Sequence, residues 1–322
     1  MQFTQIISKK ILSFRISQNL LKVLVFAGLS TYFWELVNEK NILGKLFSES
    51  TLQYILDKPV CFLLVCCLLP VNWGLETLKW KLLVSKKYTF SFKQALEGTL
   101  TGLSLGLATP YGLGDYLGRV LQVKEKDRNT LIAALFLSNA AQFLATLFFG
   151  VLACIYFLRE IVLLQQISNN TFLFLGIGMF ACLSLYFFRY RVFSFFKNTI
   201  LEQWSALLSK YQTKEMLIIF LLSLLRYLVF SAQFVLLLFI FGVSSNFLLL
   251  AMGVFFTFLV KSVIPTFFEL GVREVAAITF FTRFSLSPEQ VLFASLLLWT
   301  INICIPAMLG SLLVFNLKFS LR

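Results

Sequence analysis

Residues 109–119 read TPYGLGDYLGR, and they follow directly on the uncharged stretch GTLTGLSLGLA at residues 98–108. Proline lacks a backbone N–H and clashes with the preceding helical turn, so Pro110 is expected to interrupt an apolar helix. Asp115 and Arg119 then stand four residues apart, which places an acid and a base on one face of a new helix. The stretch therefore predicts a broken helix with a charged pair just after the break.

The composition around this break is that of a membrane protein. Of the 322 residues, 59% are hydrophobic and 13% are charged, which is about half the charged share of a soluble domain. Uncharged runs at residues 129–158, 172–188, 227–260 and 290–317 are long enough for helices that cross a bilayer. We therefore expect an all-α polytopic membrane protein.

Several features that mark common classes of enzyme are missing from the sequence. The chain has no histidine, its six cysteines show no metal-ligand spacing, and no phosphate loop or nucleophile motif is present. We expect no enzymatic activity, no metal and no cofactor. The net charge of +13 lies mostly in short loops between apolar runs, which predicts a membrane surface as partner rather than nucleic acid.

The charge of the loops predicts the path of the chain through the bilayer. Cytoplasmic loops are enriched in Lys and Arg, and both flanks of residues 94–118 are basic, so this segment is expected to turn back as a re-entrant hairpin. A second hairpin is expected at residues 246–287, entered from the opposite face. About six transmembrane helices complete an inverted-repeat-like fold. Two short full crossings could replace either hairpin without moving the chain ends.

This path predicts a single integral membrane domain over residues 1–322. We expect an interfacial N-terminal segment at residues 1–20, a first repeat-like unit at 59–158, a cytoplasmic loop at 189–215 and a second repeat-like unit at 216–316. The expected location is a bacterial cytoplasmic (inner) membrane, with several passes and with both termini in the cytoplasm.

The second predicted hairpin contains a break that resembles the first. Residues 265–274 read PTFFELGVRE, so Pro265 is followed four residues later by Glu269, and Arg273 stands four residues beyond that acid. A helix start exposes unpaired N–H groups and partial positive charge, and an added arginine makes it suited to a phosphate or a carboxylate. Two such breaks entered from opposite faces are typical of transporters that hold a substrate between inverted repeats.

The candidate site residues follow from these breaks and from the cost of charge inside a membrane. Arg119 and Arg273 are expected to bind a phosphate, and the nearby acids to hold these arginines in place or to couple to protons. The full set of candidate substrate-binding residues is Arg119, Arg273, Asp115, Glu269, Glu274, Lys261, Glu76 and Arg226. The residues expected to shape the two breaks are Pro110, Gly112, Gly114, Pro265 and Gly271.

Several other polar or small residues have structural interpretations. Asn72, Glu76 and Lys79 lie at helical spacing and are consistent with a polar belt at the cytoplasmic interface, although Glu76 is deep enough to face a cavity. Asn139 and Gln142 are expected to join helices by hydrogen bonds. Glycine recurs at every fourth position from 98 to 118, apart from Pro110. This stripe predicts close packing of the hairpin arm, with a ligand-facing surface as the alternative.

The motifs resemble those of the lysylphosphatidylglycerol synthase transmembrane-region family, also called flippase-like domain proteins. The resemblance rests on NWGLETLKWKLL (72–83), on TPYGLGD with Arg119 beyond it, and on PTFFELGVRE, and it spans roughly residues 15–316. The chain departs from the family pattern at Tyr111, where glycine is common, at Asp115, where glutamate is usual, and at residues 267–269, where the family is glycine-rich. The resemblance implies handling of lipid or polyprenyl phosphate. We expect no aminoacylation, because no soluble aminoacyltransferase domain accompanies these motifs.

The expected function is translocation of an anionic phospholipid or of a polyprenyl-phosphate-linked lipid. The partners are then the membrane lipid or lipid-linked substrate and the bilayer itself. The alternatives are an ion-coupled transporter of a small soluble anion, an enzyme acting on a membrane lipid, and a non-catalytic membrane scaffold. A lipid substrate predicts a site that opens sideways between helices, whereas a soluble anion predicts a site that opens only to water.

Overall fold

The structure, a computed structural model, describes residues 49–107, 109, 112–121, 123–160, 169–193, 211–243, 245–264 and 271–316. All secondary structure within these ranges is helical, as the composition predicts. The helices are α1 (Glu49–Asp57), α2 (Pro59–Val84), α3 (Phe92–Leu107), α4 (Leu113–Val120), α5 (Glu125–Glu160), α6 (Asn169–Phe193), α7 (Thr213–Ile240), α8 (Phe247–Val263), α9 (Val272–Thr282), α10 (Pro288–Trp299) and α11 (Ile305–Asn316).

A π-helical turn, Thr300–Cys304, joins α10 to α11, so these three elements form one continuous rod. Some of the sequence-based predictions lie outside the described residues. They are the interfacial segment at residues 1–20, most of the expected cytoplasmic loop at 189–215, and the candidates Pro110, Pro265 and Glu269.

Four helices in the described part of the chain are long and apolar enough to cross a membrane. They are Pro59–Val84, Asp127–Phe157, Thr213–Ile240 and Pro288–Val314, and α6 and α8 add shorter apolar helices. Two of them, Asp127–Phe157 and Pro288–Val314, lie within a few residues of the uncharged runs at 129–158 and 290–317. The all-helical membrane architecture predicted from composition is therefore confirmed.

The two long helices α2 and α7 run antiparallel and form the centre of the bundle. Near the start of α2, the backbone oxygen of Val65 accepts a hydrogen bond from Nε2 of Gln233, at 2.9 Å, late in α7. At the other end, the backbone oxygen of Leu83 accepts one from the hydroxyl of Tyr211, at 3.1 Å, just before α7. Each long helix is followed by two short helices and then by another long rod. The two halves of the fold therefore run in opposite directions.

Helices α3 and α4 form the first hairpin, and its two ends meet at one end of the bundle. Lys87 precedes the hairpin and pairs with Asp127, which follows it. Lys86 and Glu215 form a further ion pair here at 2.5 Å. The chain thus leaves and re-enters this hairpin at the same end of the bundle, which we call the Lys87 end.

Helices α8 and α9 form the second hairpin, which starts and finishes at the opposite end of the bundle. Phe241 precedes this hairpin, and its ring centroid lies 6.1 Å from that of Phe293, which follows it. Tyr54 belongs to the same group, since its hydroxyl accepts a hydrogen bond from Gln290 at 3.3 Å. The two hairpins therefore enter the bundle from opposite ends, the second from the Tyr54 end.

The first helix of each hairpin packs against the rod that follows the other hairpin. The hydroxyl of Ser104 on α3 donates to the backbone oxygen of Ala307 on α11. On the other side of the bundle, Gly150 on α5 lies directly against Leu259 on α8. The rings of Phe149 and Phe255 reinforce this second contact, with centroids 4.9 Å apart. This exchange fastens the two halves of the fold to each other.

The glycine stripe brings the backbones of α3 and α4 into contact within the first hairpin. Gly102 and Gly106 on α3 face Asp115 on α4, and Gly118 on α4 faces Gly102 in return. A side chain at any of these glycines would occupy space that the neighbouring helix fills. The close-packing interpretation of the stripe is therefore confirmed, and it extends past the break into α4.

The second hairpin is filled by aromatic rings instead. Gly253 on α8 leaves space that the rings of Phe280 and Phe281 on α9 occupy. Phe258 on α8 in turn stacks on Phe230 of α7, with ring centroids 5.0 Å apart and planes inclined by 22°. The two hairpins are thus packed differently, the first by glycines and the second by aromatic rings.

We expect Gly118→Ala to destabilise the protein strongly. An added Cβ would lie 2.6 Å from the Cα of Gly102, and overpacking of this kind costs about 1–3 kcal/mol or more where only backbone can yield. Gly178→Ala is the matched control, because no atom lies within 4 Å of a Cβ built there. Thermal unfolding in detergent would test this pair. A similar midpoint for both variants would contradict the tight contact between α3 and α4.

Candidate functional site

A cavity of about 430 Å³ lies in the middle of the bundle, between the two hairpins. Its walls come from both halves of the fold, namely from α2, α3, α5, α7, α8, α9 and the π-helical turn. The charged and amide side chains on these walls are Arg226, Lys261, Arg273, Asn72, Asn139 and Gln142. The walls formed by the described residues thus carry three cations and no carboxylate.

Both breaks place a glycine with positive φ directly before a short helix. Gly112 has φ +66° before α4, and Gly271 has φ +96° before α9, a region that residues with a side chain rarely adopt. The starts of these helices are also capped: the N–H of Gly114 donates to Thr109 Oγ1 at 2.6 Å, and the N–H of Gly271 donates to Glu274 Oε2 at 2.7 Å. The predicted restarts at residues 112 and 271 are therefore well-formed helix starts.

Glu76 on α2 is the centre of a buried group of charges, which we call the Glu76 cluster. The residue is 2% exposed. Its Oε1 lies 2.8 Å from Nη1 of Arg119, and its Oε2 lies 2.8 Å from Nζ of Lys79 and 3.2 Å from Nη1 of Arg226. One carboxylate therefore holds cations from α2, α4 and α7 together.

Arg119 belongs to this cluster and is not among the residues that line the cavity. Its Nε lies 2.7 Å from Oδ1 of Asp115, so the pair expected from their spacing is formed. With Glu76 on its other side, Arg119 ties the first hairpin to α2. The structure thus places Arg119 behind the cavity wall, whereas Arg273 lies on the wall.

Lys79 completes the cluster from within the bundle. The side chain is fully buried, at 0% exposure, so it contacts protein on all sides. Besides Glu76, its Nζ contacts Oε1 of Gln142 and Oγ of Ser223, each at 3.2 Å. These contacts supply the polar environment that a buried ammonium requires.

Gln142 and Trp73 position Arg226 at the edge of the cavity. Oε1 of Gln142 accepts from Nη1 of Arg226 at 3.4 Å, while its Nε2 donates to the backbone oxygen of Ser223 at 3.3 Å. The guanidinium also lies over the ring of Trp73, 5.5 Å from its centroid, within the range of a cation–π interaction. Gln142 joins α5 to α7 as predicted, and it also forms part of the cavity wall.

Arg273, in the first turn of α9, is held by neighbours within the second half of the fold. It is 2% exposed. Its Nη2 lies 2.5 Å from Glu274 Oε1, and its Nε donates to Ser295 Oγ at 2.8 Å. Glu274 thus fixes Arg273, whereas Glu269, which the sequence also suggests as a partner, lies outside the described residues.

The arrangement is suited to binding an anion. Arg226, Lys261 and Arg273 bring three positive charges from α7, α8 and α9 to one cavity. The apolar part of the wall includes Phe230 and Phe258, which exclude water and so strengthen electrostatic attraction.

A comparison with known families identifies the family of this chain. The family model described as the lysylphosphatidylglycerol synthase TM region matches residues 19–310. The chain belongs to the lysylphosphatidylglycerol synthase TM region family. No curated protein and no solved structure gave a match. Family membership and the apolar helices make it a multi-pass membrane protein, related to lipid modification or translocation.

The structure of this member of the lysylphosphatidylglycerol synthase TM region family also shows cavity residues that sequence reasoning did not assign to a site. Asn72 and Asn139 line the cavity, and Asn302 in the π-helical turn binds Asn72. Asn72 lies one turn before Glu76, and Asn139 lies one turn before Gln142. Polar residues repeated at this spacing inside apolar helices are the signal that would have indicated a shared polar face.

Proposed function

We propose that this protein translocates the anionic head group of a lipid through the cavity between the two hairpins. The observation that carries the proposal is the set of three cations, Arg226, Lys261 and Arg273, on a wall whose described residues include no carboxylate. Guanidinium and ammonium groups bind phosphate oxygens through charge-assisted hydrogen bonds. A phospholipid or a polyprenyl-phosphate-linked lipid carries such a phosphate, and its chains would remain in the surrounding bilayer.

We further propose that both hairpins are re-entrant. Helix α3 has 16 residues and α4 has 8, so they are about 24 Å and 12 Å long, whereas the hydrocarbon core is about 30 Å thick. The return of each hairpin to its own end of the bundle supports the same arrangement. In this proposal the fold has about six membrane spans, the first of them outside the described residues.

The Lys87 end is the proposed cytoplasmic face. Lys86, Lys87 and Lys124 cluster there, beside the start of α5, and short cytoplasmic loops are enriched in Lys and Arg. The first hairpin then enters from the cytoplasm and the second from the outer face. A head group held between them would become accessible from either side as the two inverted halves tilt.

A transporter fits the cavity better than an enzyme does. The cavity walls offer cations and amides, and no carboxylate of the described residues is available there as a general base. Cations and amides suit the binding of an anion, whereas the general base of hydrolysis or group transfer is most often a histidine or a carboxylate. We therefore propose binding and movement of the lipid without covalent change.

Reconstituted vesicles test this function. A fluorescent anionic phospholipid in the inner leaflet should reach the outer leaflet faster with the wild-type protein than in empty vesicles, as measured by quenching with external dithionite. Lys261→Gln should slow the movement of this lipid between leaflets at least about fivefold, because one of three charge-assisted contacts is lost. Lys214→Gln is the matched control, because Lys214 is exposed and is not among the residues that line the cavity.

Two results would count against the proposal. A wild-type rate no faster than that of empty vesicles would contradict lipid translocation. Release of trapped inorganic phosphate by the same vesicles, without lipid movement, would favour the transporter of a small soluble anion.

A further inference from the structure

The Glu76 cluster and Asp115, which pairs with Arg119, together hold more positive than negative charge. The cations are Lys79, Arg119 and Arg226, and the carboxylates are Glu76 and Asp115. Three cations against two carboxylates leave a net charge of +1 when every group is ionised. Lys79, Arg119 and Glu76 are each at most 5% exposed, and an unbalanced charge among buried groups is costly. Loss of a single proton would make the group neutral.

Lys79 is the member of this group that can release that proton. Arginine stays protonated in proteins, whereas a buried lysine can exist as a neutral amine. A proton on either carboxylate would increase the excess of positive charge instead of removing it. With Lys79 neutral, the two arginines and the two carboxylates balance each other.

The ammonium form of Lys79 depends on one charged partner. Its Nζ lies 2.8 Å from Oε2 of Glu76, and its two other acceptors, Gln142 Oε1 and Ser223 Oγ, are neutral and lie at 3.2 Å. The hydroxyl of Ser223 donates to the backbone oxygen of Ile219 at 2.8 Å, so it acts as an acceptor toward Lys79. The charge of Lys79 is therefore balanced by Glu76, which it shares with two arginines.

The surrounding helices determine which charges act on Lys79. Helix α7 contributes Arg226, and α4 contributes Arg119 with its partner Asp115. Helix α5 contributes the amide of Gln142, and α3 presents Gly102 to the pair of Asp115 and Arg119. On α4, the hydroxyl of Tyr116 faces α5, where it accepts from Nδ2 of Asn139 at 2.9 Å. The charged groups that bear on Lys79 are thus the four other members of the group.

Arg226 connects Lys79 to the cavity. It lines the cavity, and its Nη1 lies 3.2 Å from Glu76 Oε2, the same oxygen that Lys79 contacts. Gln142, also on the cavity wall, accepts from both cations through its Oε1. An anion that binds Arg226 would draw the charge of this arginine away from Glu76 and add a negative charge beside the group. Both changes favour the ammonium form of Lys79.

We propose that Lys79 is a proton-binding site coupled to the cavity, and that binding of an anionic head group is accompanied by uptake of one proton from solution onto Lys79 Nζ. The inference rests on the proposed function and adds an ion that binds together with the lipid. Lys79 is a neutral amine while the cavity is empty and an ammonium while the head group is bound. A head group with one negative charge then balances the net charge of the five residues. By linkage, protons and the lipid strengthen each other's binding.

Calorimetry of the full-length protein in detergent tests this coupling. The probe is dihexanoyl phosphatidylmethanol, whose phosphodiester carries one negative charge and which has no group that titrates near neutral pH. Binding heats measured in buffers of different ionisation enthalpy give the number of protons taken up. We expect a maximum of about 0.5–1 proton per lipid between about pH 6 and 10. As pH rises through this maximum, the dissociation constant should increase by up to about tenfold per pH unit.

Three variants assign the proton to Lys79. Lys79→Met should still bind the probe, with proton uptake near zero and a dissociation constant that does not change with pH. Ser223→Ala removes one neutral acceptor of the ammonium and should move the pH profile to lower pH by about one unit. Lys214→Met is the control, because Lys214 is exposed and is not among the residues that line the cavity. It should keep the wild-type profile.

The outcomes separate this inference from the function on which it rests. Binding of the probe by the wild-type protein without proton uptake would overturn the coupling and leave anionic lipid binding intact. No binding of the probe would overturn both. Undiminished proton uptake in Lys79→Met would place the proton elsewhere and overturn the role of Lys79. If Lys79→Met does not fold, an unshifted pH profile in Ser223→Ala would overturn the same role.

Discussion

Replacing Glu76 by glutamine is expected to be the most damaging single substitution in the described part of the protein. The neutral side chain would leave Lys79, Arg119 and Arg226 together without the carboxylate that all three contact. Removing one partner of a buried ion pair costs about 3–5 kcal/mol, and here the remaining charges also repel one another. We expect little folded protein from Glu76→Gln, measured as the monodisperse fraction in detergent and as the midpoint of thermal unfolding.

Two further variants make this expectation specific. Glu289→Gln changes an exposed glutamate and should leave the midpoint nearly unchanged. The double variant Glu76→Gln with Lys79→Gln should recover part of the lost stability, since it removes one of the uncompensated charges. A double variant that is no more stable than Glu76→Gln would show that the cluster acts through shape rather than through charge.

The second large effect is expected at Arg273, which contributes both to ligand binding and to the stability of the fold. Arg273→Gln removes a cation from the cavity and leaves the buried carboxylate of Glu274 uncompensated. The bare carboxylate would also repel an anionic ligand. We expect binding of a short-chain anionic phospholipid to weaken by about 100-fold, which corresponds to loss of a buried, charge-assisted contact. The unfolding midpoint should fall as well.

Neutralising both residues distinguishes the two roles of this pair. The variant Arg273→Gln with Glu274→Gln should regain most of the stability, because the pair carries no net charge, while binding stays weaker than in the wild type by about tenfold. Lys87→Gln with Asp127→Asn removes an ion pair at the Lys87 end, far from the cavity, and serves as the control. Wild-type affinity in the Arg273 and Glu274 double variant would exclude Arg273 from the binding site.

Local sequence features predicted most of the helices in the described part of the chain, although not α1. The hairpin predicted at residues 94–118 corresponds to α3 and α4, which together span 92–120, and the one predicted at 246–287 contains α8 and α9. Proline, glycine and the ends of apolar runs act on their immediate neighbours, so they can be interpreted without knowledge of the tertiary structure. The packing of α3 on α11 could not be predicted in this way, since apolar helices in lipid carry little sign of which face meets protein.

The site was harder to predict because its contacts join distant parts of the chain. Asp115 and Arg119 pair at helical spacing, and this pair could be predicted. The partner that holds Arg119 behind the cavity wall is Glu76, 43 residues away on another helix. Asn139 and Gln142 both join helices as expected, and their position on the cavity wall depends on where α5 packs in the bundle.

The exchanged packing of the hairpins also bears on how the chain is assembled during synthesis. Helix α3 emerges from the ribosome early, yet the surface that receives Ser104 and its neighbours belongs to α11, the last helix that the structure describes. The Ser104 face of α3 therefore lacks its final partner while roughly 200 further residues are inserted, a number that follows from the separation of Ser104 and Ala307. The first half of the fold therefore reaches its final packing only after α11, in the second half, has been inserted.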